Sequence, residues 1–251
     1  MRMVVMLTVN FIETNAVTLQ LPLSLSLRDD ASFDNFFAAD NEAMIAQIKA
    51  AIQREASDGS IYLWGCESSG KTHLLEAACH YASTKNLSAA YVPLKYSEDF
   101  STAILDNLET CRLICIDDVD AIAGQEVWEQ ALFYLYNRAH ERGVQMIFSS
   151  QNNVKESNIV LPDLTSRLGW GVVLHIQTLS DEHKALALQL RARLRGFDLP
   201  TNVVKYILRR LPRDMNALFG SLDELDKASL AAKRKLTVPF VKQWFDEKAI
   251  R

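Results

Sequence analysis

The sequence predicts an α/β domain with a parallel sheet, followed by a smaller domain built only of helices. Short apolar runs alternate with helical patterns between residues 61 and 176, as expected when parallel strands are joined by crossover helices. A glycine-rich segment separates the first apolar run from the first helical pattern. After residue 179 the strand patterns cease, and only helical spacing continues.

The predicted strands are short apolar runs bounded by turn residues. Strands buried on both faces of a parallel sheet are apolar throughout rather than alternating. The runs cover residues 61–64, 89–94, 112–116, 144–149 and 172–176. Residues 72–83 and 126–142, which lie between strands, place leucine and aromatic residues at helical spacing and are predicted helices.

The region after residue 179 contains helical patterns over residues 181–195, 201–211, 214–230 and 238–248. Ser180 is the predicted N-cap of the first, and prolines stand at or beside the starts of the others. We therefore expect an N-terminal tail over residues 1–31, an α/β domain over 32–179 and a helical domain over 180–251.

The composition and charge of the chain favour some classes of protein over others. The chain has 251 residues, of which 49% are apolar and 23% charged, a composition typical of a globular protein. Its net charge of -4 differs from the positive charge expected of a dedicated nucleic-acid binder. The four cysteines show no zinc-site spacing. The apolar N-terminal run is too short to span a bilayer. These features predict a cytoplasmic protein with reduced thiols, no membrane segment and no sequence-specific DNA binding.

The segment from Gly65 to Thr72 reads G-C-E-S-S-G-K-T and fits the phosphate-binding pattern GxxxxGK[ST] between a predicted strand and a predicted helix. Its backbone N–H groups are expected to surround a phosphate. Lys71 is expected to reach the β- and γ-phosphates, and Thr72 to bind Mg²⁺. Gly65, Ser69, Gly70, Lys71 and Thr72 are therefore predicted to form a nucleotide site.

The third predicted strand ends in two acids, Asp117 and Asp118. An apolar strand with this ending is typical of a Walker B motif, in which Asp117 would hold Mg²⁺ through water. Asp118 is the predicted catalytic acid that polarises the attacking water. Because aspartate is shorter than the glutamate common in strong ATPases, the sequence predicts at most weak ATPase activity.

Two further positions have two interpretations from the residues alone. Gln151 or Asn152, after the fourth predicted strand, either contacts the γ-phosphate or belongs to a polar turn. Arg167 lies near the end of a short predicted helix, where spacing alone favours a surface arginine that stabilises the helix C-terminus.

The order of these motifs resembles the DnaA branch of the AAA+ ATPases. The resemblance rests on the phosphate-binding segment followed by His73, on Ile116 to Val119, on Ala123-Gly124, and on Ser166-Arg167-Leu168 ahead of Trp170. It runs from about Ser32 to the C-terminus. It implies an AAA+ parallel-sheet core, a helical lid domain, and ADP or ATP with Mg²⁺ as cofactors.

The same resemblance implies roles for particular residues. Phe36, Phe37 and His73 would help to hold the nucleotide base, and Arg213, in the lid, would face the phosphates. Arg167 matches the arginine finger of the family, which acts in trans on the ATP of a neighbouring subunit.

The tail places leucine at every second position from Leu19 to Leu27, and Pro22 argues against a central strand. Gln20, Leu21, Leu23 and Leu25 resemble the peptide that binds the bacterial sliding clamp. From the residues alone, an edge strand on the protein's own core is an equal alternative; the family resemblance favours the clamp.

The chain ends after the predicted lid, so we expect it to lack the helix-turn-helix domain of the DnaA initiator. It resembles short DnaA-related regulators that dock on the sliding clamp and stimulate ATP hydrolysis by DnaA, which inhibits replication initiation. The alternatives are an autonomous ATPase of the helicase-loader type and a small-molecule P-loop kinase. The sequence leaves open the phosphate state of the nucleotide, self-assembly and the true start of the chain.

Overall fold

The computed structural model describes residues 31–56 and 59–249. The chain divides into two compact units, one ending at Gln177 and the other beginning at Thr178. Among the described residues, the first unit contains two buried hydrophobic clusters and the second contains one.

The first unit contains a parallel sheet with the strand order β2-β3-β4-β1-β5. The strands are β1 Ile61–Trp64, β2 Ala89–Pro93, β3 Leu113–Asp117, β4 Gln145–Ser150 and β5 Val172–His175. Every predicted strand is present, and each end differs by at most one residue from the predicted bounds. The continuous apolar runs explain this agreement, because β1 to β4 are buried almost throughout.

Helices cover both faces of the sheet. They are α1 Glu42–Gln53, α2 Lys71–Thr84, α3 Glu126–Glu141 and α4 Pro162–Trp170. The first two contribute to one core, and α3 and α4 contribute to the other. Helix α1 was not predicted, although Met44, Ile45, Ile48 and Ile52 recur at helical spacing and are buried.

The second unit consists of α5 Asp181–Leu194, α6 Thr201–Arg210, α7 Met215–Ala232 and α8 Val238–Ala249. The predicted N-cap is confirmed, because the Ser180 hydroxyl accepts a hydrogen bond from the backbone N–H of His183 at 3.2 Å. Asp214 caps α7 in the same way, 2.8 Å from the N–H of Ala217. An all-helical unit therefore follows the sheet, as predicted.

Within residues 31–56 and 59–249, no helix has the length and apolar character required to cross a bilayer. The cysteines are free thiols, and Cys66 is exposed while the others are buried.

One side chain fixes the start of α1 to the backbone beyond β5. The buried Asn41 amide accepts a hydrogen bond from the N–H of Gln177 at 2.9 Å and donates to its carbonyl oxygen at 3.2 Å. The amide therefore pairs with both backbone groups of a residue 136 positions away in the chain.

Asn41→Ala should lower the free energy of unfolding by about 1–3 kcal/mol, because two long-range hydrogen bonds disappear and a backbone N–H loses its protein partner. Chemical denaturation would measure the change. Gln47→Ala, on the exposed face of the same helix, is the matched control and should leave stability nearly unchanged. Equal midpoints for the two variants would show that the Asn41 contact contributes nothing.

Candidate nucleotide-binding site

The loop between β1 and α2 forms a cradle. Ser68 and Gly70 adopt positive φ values of 60° and 97°, a curl that brings successive backbone N–H groups toward one side. Gly70 is also the N-cap of α2, so the loop ends at the positive end of a helix dipole. This geometry suits a bound phosphate.

Gly70 is favoured by its positive φ and by limited space, and Gly65 by limited space alone. A Cβ on Gly70 would lie 2.7 Å from the Phe36 ring, and one on Gly65 would lie 3.0 Å from Ser69 Oγ and 3.3 Å from Ile176 Cβ. Phe36 therefore lies directly against the loop, and its ring centroid is 5.7 Å from that of His73. The structure thus brings together Phe36, His73 and the phosphate-binding loop.

Lys71 is only 6% exposed, and its Nζ donates to the carbonyl oxygens of Gly65 at 2.7 Å and Cys66 at 2.9 Å. The ammonium group is therefore held inside its own loop. Ser69 Oγ is buried and has no hydrogen-bond partner among the described residues. A buried cation beside an unpartnered hydroxyl donor is the environment that an anionic ligand satisfies, so the cradle fits a nucleotide phosphate.

Asp117, at the end of β3, is fully buried. Its Oδ2 accepts a hydrogen bond from the Tyr91 hydroxyl at 2.7 Å, and its Oδ1 accepts one from Ser149 Oγ. Burial and the adjacent Asp117 carboxylate raise the pKa of Tyr91 far above its usual value, so its hydroxyl keeps its proton and remains a donor. Each carboxylate oxygen keeps further acceptor capacity, which suits contact with Mg²⁺ through water.

Asp118 follows in the left-handed region with φ 55°, and its N–H donates to Ser149 Oγ at 3.0 Å. Burial, together with repulsion from Asp117, raises the pKa of its carboxyl group to about 6, although Lys95 and Lys71 oppose the shift. The carboxyl group is therefore mostly ionised at neutral pH.

The β4 side chain that contacts the two acids is Ser149, whereas the contact of Gln151 or Asn152 with the γ-phosphate stays a prediction. Both of those residues are exposed, and the N–H of Gln151 donates to Asp120 Oδ1 at 3.0 Å. Ser149 contacts Asp117 because β4 extends to Ser150 and buries Ser149 beside the end of β3. Ser149 could have been predicted as a partner of Asp117, because it is a hydroxyl residue at the end of an apolar strand. No local pattern indicated that Tyr91 would be the other partner.

The sheet order explains how these groups meet. Because β4 lies between β1 and β3, the carboxyl ends of the three strands bring the loop, Ser149 and Asp117 to one edge. Thr72 is the second residue of α2, where it is partly buried. Its hydroxyl and the Asp117 carboxylate are hard oxygen donors of the kind that hold Mg²⁺ together with phosphate oxygens and waters.

Arg167 lies on α4 and is partly buried. Its guanidinium carbon is 4.8 Å from the ring centroid of Trp170, which is 59% exposed, and the Trp170 ring also contacts His140 at a centroid distance of 5.3 Å. No carboxylate in the described part of the chain pairs with Arg167. Its charge is therefore supported by stacking and not neutralised by an ion pair.

For the remaining predicted residues, the proposed roles stay predictions. Arg213 belongs to the second unit, where its Nη1 lies 2.7 Å from Asp181 Oδ2. Phe37 is partly buried. The residues proposed for the clamp, Gln20, Leu21, Leu23 and Leu25, lie outside the described residues, so that role stays a prediction.

A parallel sheet with a phosphate-binding loop after β1, acids at the end of β3 and a separate helical unit defines a P-loop protein of the AAA+ class. Residues 27–175 match the family model of the bacterial DnaA ATPase domain, and residues 181–245 match that of the Hda lid domain. The chain therefore belongs to the family of the bacterial DnaA ATPase domain, and its helical unit matches the lid of Hda, a DnaA-related regulator.

Solved structures agree on the fold. Domain III of the replication initiation protein DnaA from Thermotoga maritima matches with a TM-score of 0.77 and 18% identity, covering 88% of this chain and 98% of that one. AMPPCP-bound DnaA from Aquifex aeolicus matches with a TM-score of 0.68 and 21% identity, covering 80% and 66%. The Thermotoga maritima RuvB branch migration motor matches with a TM-score of 0.64 and 14% identity, covering 85% and 70%.

Proposed function

We propose that this protein is a cytoplasmic regulator that inhibits replication initiation by stimulating ATP hydrolysis by DnaA. The protein holds an adenine nucleotide with Mg²⁺ and docks on the sliding clamp through residues 1–31. Residues 32–179 form its ATPase domain, and residues 180–251 form its lid. The observation that carries the proposal is Arg167, an arginine without an acidic partner among the described residues, stacked on an exposed tryptophan.

The position of α4 supports an action on another molecule. Leu164 and Leu168 bury one side of α4 in the core shared with α3, whereas α2, which begins at the cradle, packs against the other core. Arg167 thus lies on the layer opposite to α2, with part of its side chain exposed. A guanidinium group supplied by a partner stabilises charge that develops on the γ-phosphate and raises hydrolysis by about 10³–10⁵-fold.

The alternative is an autonomous ATPase of the helicase-loader type, which would hydrolyse ATP to drive its own work. The short acid Asp118 and its buried, doubly hydrogen-bonded neighbour Asp117 favour slow turnover. ATP hydrolysis should be measured for the purified protein, then with DnaA, and then with DnaA and clamp loaded on DNA. Fast hydrolysis only in the complete mixture supports the regulator, whereas fast hydrolysis by the isolated protein supports the loader.

The tail offers a separate test. Gln20→Ala combined with Leu21→Ala should reduce clamp binding below detection in a pull-down or by surface plasmon resonance, because both residues belong to the proposed docking peptide. The melting temperature should change little. Val17→Ala with Thr18→Ala, immediately upstream, is the matched control and should bind normally. Retained clamp binding with a large fall in melting temperature would identify the segment as part of the protein's own fold.

A further inference from the structure

A buried carboxylate joins the beginnings of α3 and α4. Glu129, on α3, is 1% exposed. Its Oε1 accepts from the N–H of Gly124 at 2.7 Å, and its Oε2 accepts from the N–H of Leu161 at 2.7 Å. The N–H of Val160 lies 3.1 Å from both oxygens. No lysine or arginine among the described residues pairs with this carboxylate.

One of these N–H groups belongs to the N-cap of α4, and the other two, from Gly124 and Val160, lie one residue before the N-caps of α3 and α4. Gln125 is the N-cap of α3 and Leu161 is the N-cap of α4, and neither makes a side-chain cap hydrogen bond. The first N–H groups of a helix have no partner within the helix, and an anion there is stabilised by the helix dipole. Glu129 therefore anchors the backbone at both helix starts, and its hydrogen bonds to Gly124, Val160 and Leu161 form a shared cap.

This contact lies where α4 begins. Pro162 is the first residue of α4, and its ring restricts φ immediately after the capped Leu161. From there one regular helix leads to Arg167 in the second turn. Gly124 lies at the end of the segment that starts at Asp118 and includes the 3₁₀ helix Val119–Ile122. The same carboxylate thus connects the Arg167 helix to the segment that follows the acids.

We propose that Glu129 is the positioning residue for Arg167, and this inference rests on the function proposed above. The carboxylate holds the first turn of α4 against α3, so that the guanidinium reaches the partner's γ-phosphate in one orientation. A displacement of about 1 Å at a reacting centre can reduce a rate by about 10²-fold. Loss of the shared cap should therefore reduce stimulation while leaving the cradle unaffected.

Glu129→Gln tests the proposal with almost no change in volume. The amide keeps one acceptor oxygen but turns N–H donors toward backbone N–H groups. The maximal stimulated rate of ATP hydrolysis by DnaA should fall at least about tenfold. Nucleotide affinity, clamp binding and the concentration of this protein that gives half-maximal stimulation should be unchanged. Backbone amide exchange at Val160 and Leu161 should become faster. Glu126→Gln is the matched control, because this exposed glutamate lies on the same turn and, among the described residues, its side chain bonds only the Gln130 amide, at 3.0 Å.

A double variant separates positioning from general structure. The double variant Glu129→Gln, Arg167→Ala should stimulate ATP hydrolysis by DnaA no less than Arg167→Ala alone. Both changes act through the same guanidinium group, so their effects should not add. If Glu129→Gln folds poorly, Glu129→Asp keeps the charge with a shorter reach and should give an intermediate loss. Full stimulation by folded Glu129→Gln, or a parallel loss of nucleotide affinity, overturns the positioning role. Full stimulation by Arg167→Ala instead overturns the finger itself, and the role of Glu129 with it.

Discussion

Arg167→Ala should lower the stimulated hydrolysis of ATP by DnaA by about 10³-fold or more, to the level of DnaA alone. The planar guanidinium spreads positive charge where the γ-phosphate develops negative charge, and an alanine offers neither charge nor donors. Binding of the protein's own nucleotide and binding of the clamp should be unchanged, because Arg167 makes no described contact with the cradle. The measurement is the rate at which DnaA-bound ATP is converted to ADP in the presence of clamp loaded on DNA.

Two variants sharpen this result. Arg167→Lys should recover little activity, since a single ammonium on a flexible stem does not reproduce the fork of donors. Arg193→Ala removes an exposed arginine from the second unit and should stimulate normally. If Arg167 were only a helix-terminal residue, its alanine variant would stimulate fully and lose a few tenths of a kcal/mol of stability.

Lys71→Ala should weaken binding of ADP or ATP at least about 10²-fold, because charge-assisted hydrogen bonds to phosphate are lost and each contributes roughly 1.5–3 kcal/mol. In the structure the ammonium group already lies within the loop, bonded to the carbonyls of Gly65 and Cys66. A phosphate therefore meets a cation that is already in place. Isothermal titration calorimetry with each nucleotide would measure the change.

Lys85→Ala is the matched control for this prediction. Lys85 lies at the opposite end of α2, exposed beside the ring of Tyr81, so its loss removes an equal charge from the same helix. The Lys85→Ala variant should bind ADP and ATP with the same affinity as the unmodified protein. ADP affinity that is unchanged in Lys71→Ala would contradict the assignment of the cradle, whereas circular dichroism should show that the variant remains folded.

Local patterns predicted the strands and the cradle because their physical causes are local. A buried parallel strand must be apolar, and a phosphate-binding turn needs glycine where a Cβ would collide, as at Gly70. The acids at 117 and 118 were found for the same reason: they stand directly after such a strand. These features occupy a few consecutive residues, so spacing alone identifies them.

The features that escaped prediction depend on residues far apart in the chain. Tyr91 and Ser149 meet Asp117 because three strands lie side by side, with sequence separations of 26 and 32 residues. Glu129 contacts Leu161 across 32 residues, and in the sequence it is one charged residue of an ordinary amphipathic helix. Only the strand order and the packing of α3 against α4 give these side chains their partners.

Ser149 has a consequence for how the two acids respond to a ligand. One oxygen atom donates to the carboxylate of Asp117 and accepts from the peptide N–H of Asp118. The two aspartates are therefore mechanically linked through a single atom of the neighbouring strand. The Ser149 hydroxyl thus couples the positions of both acids to the end of β4.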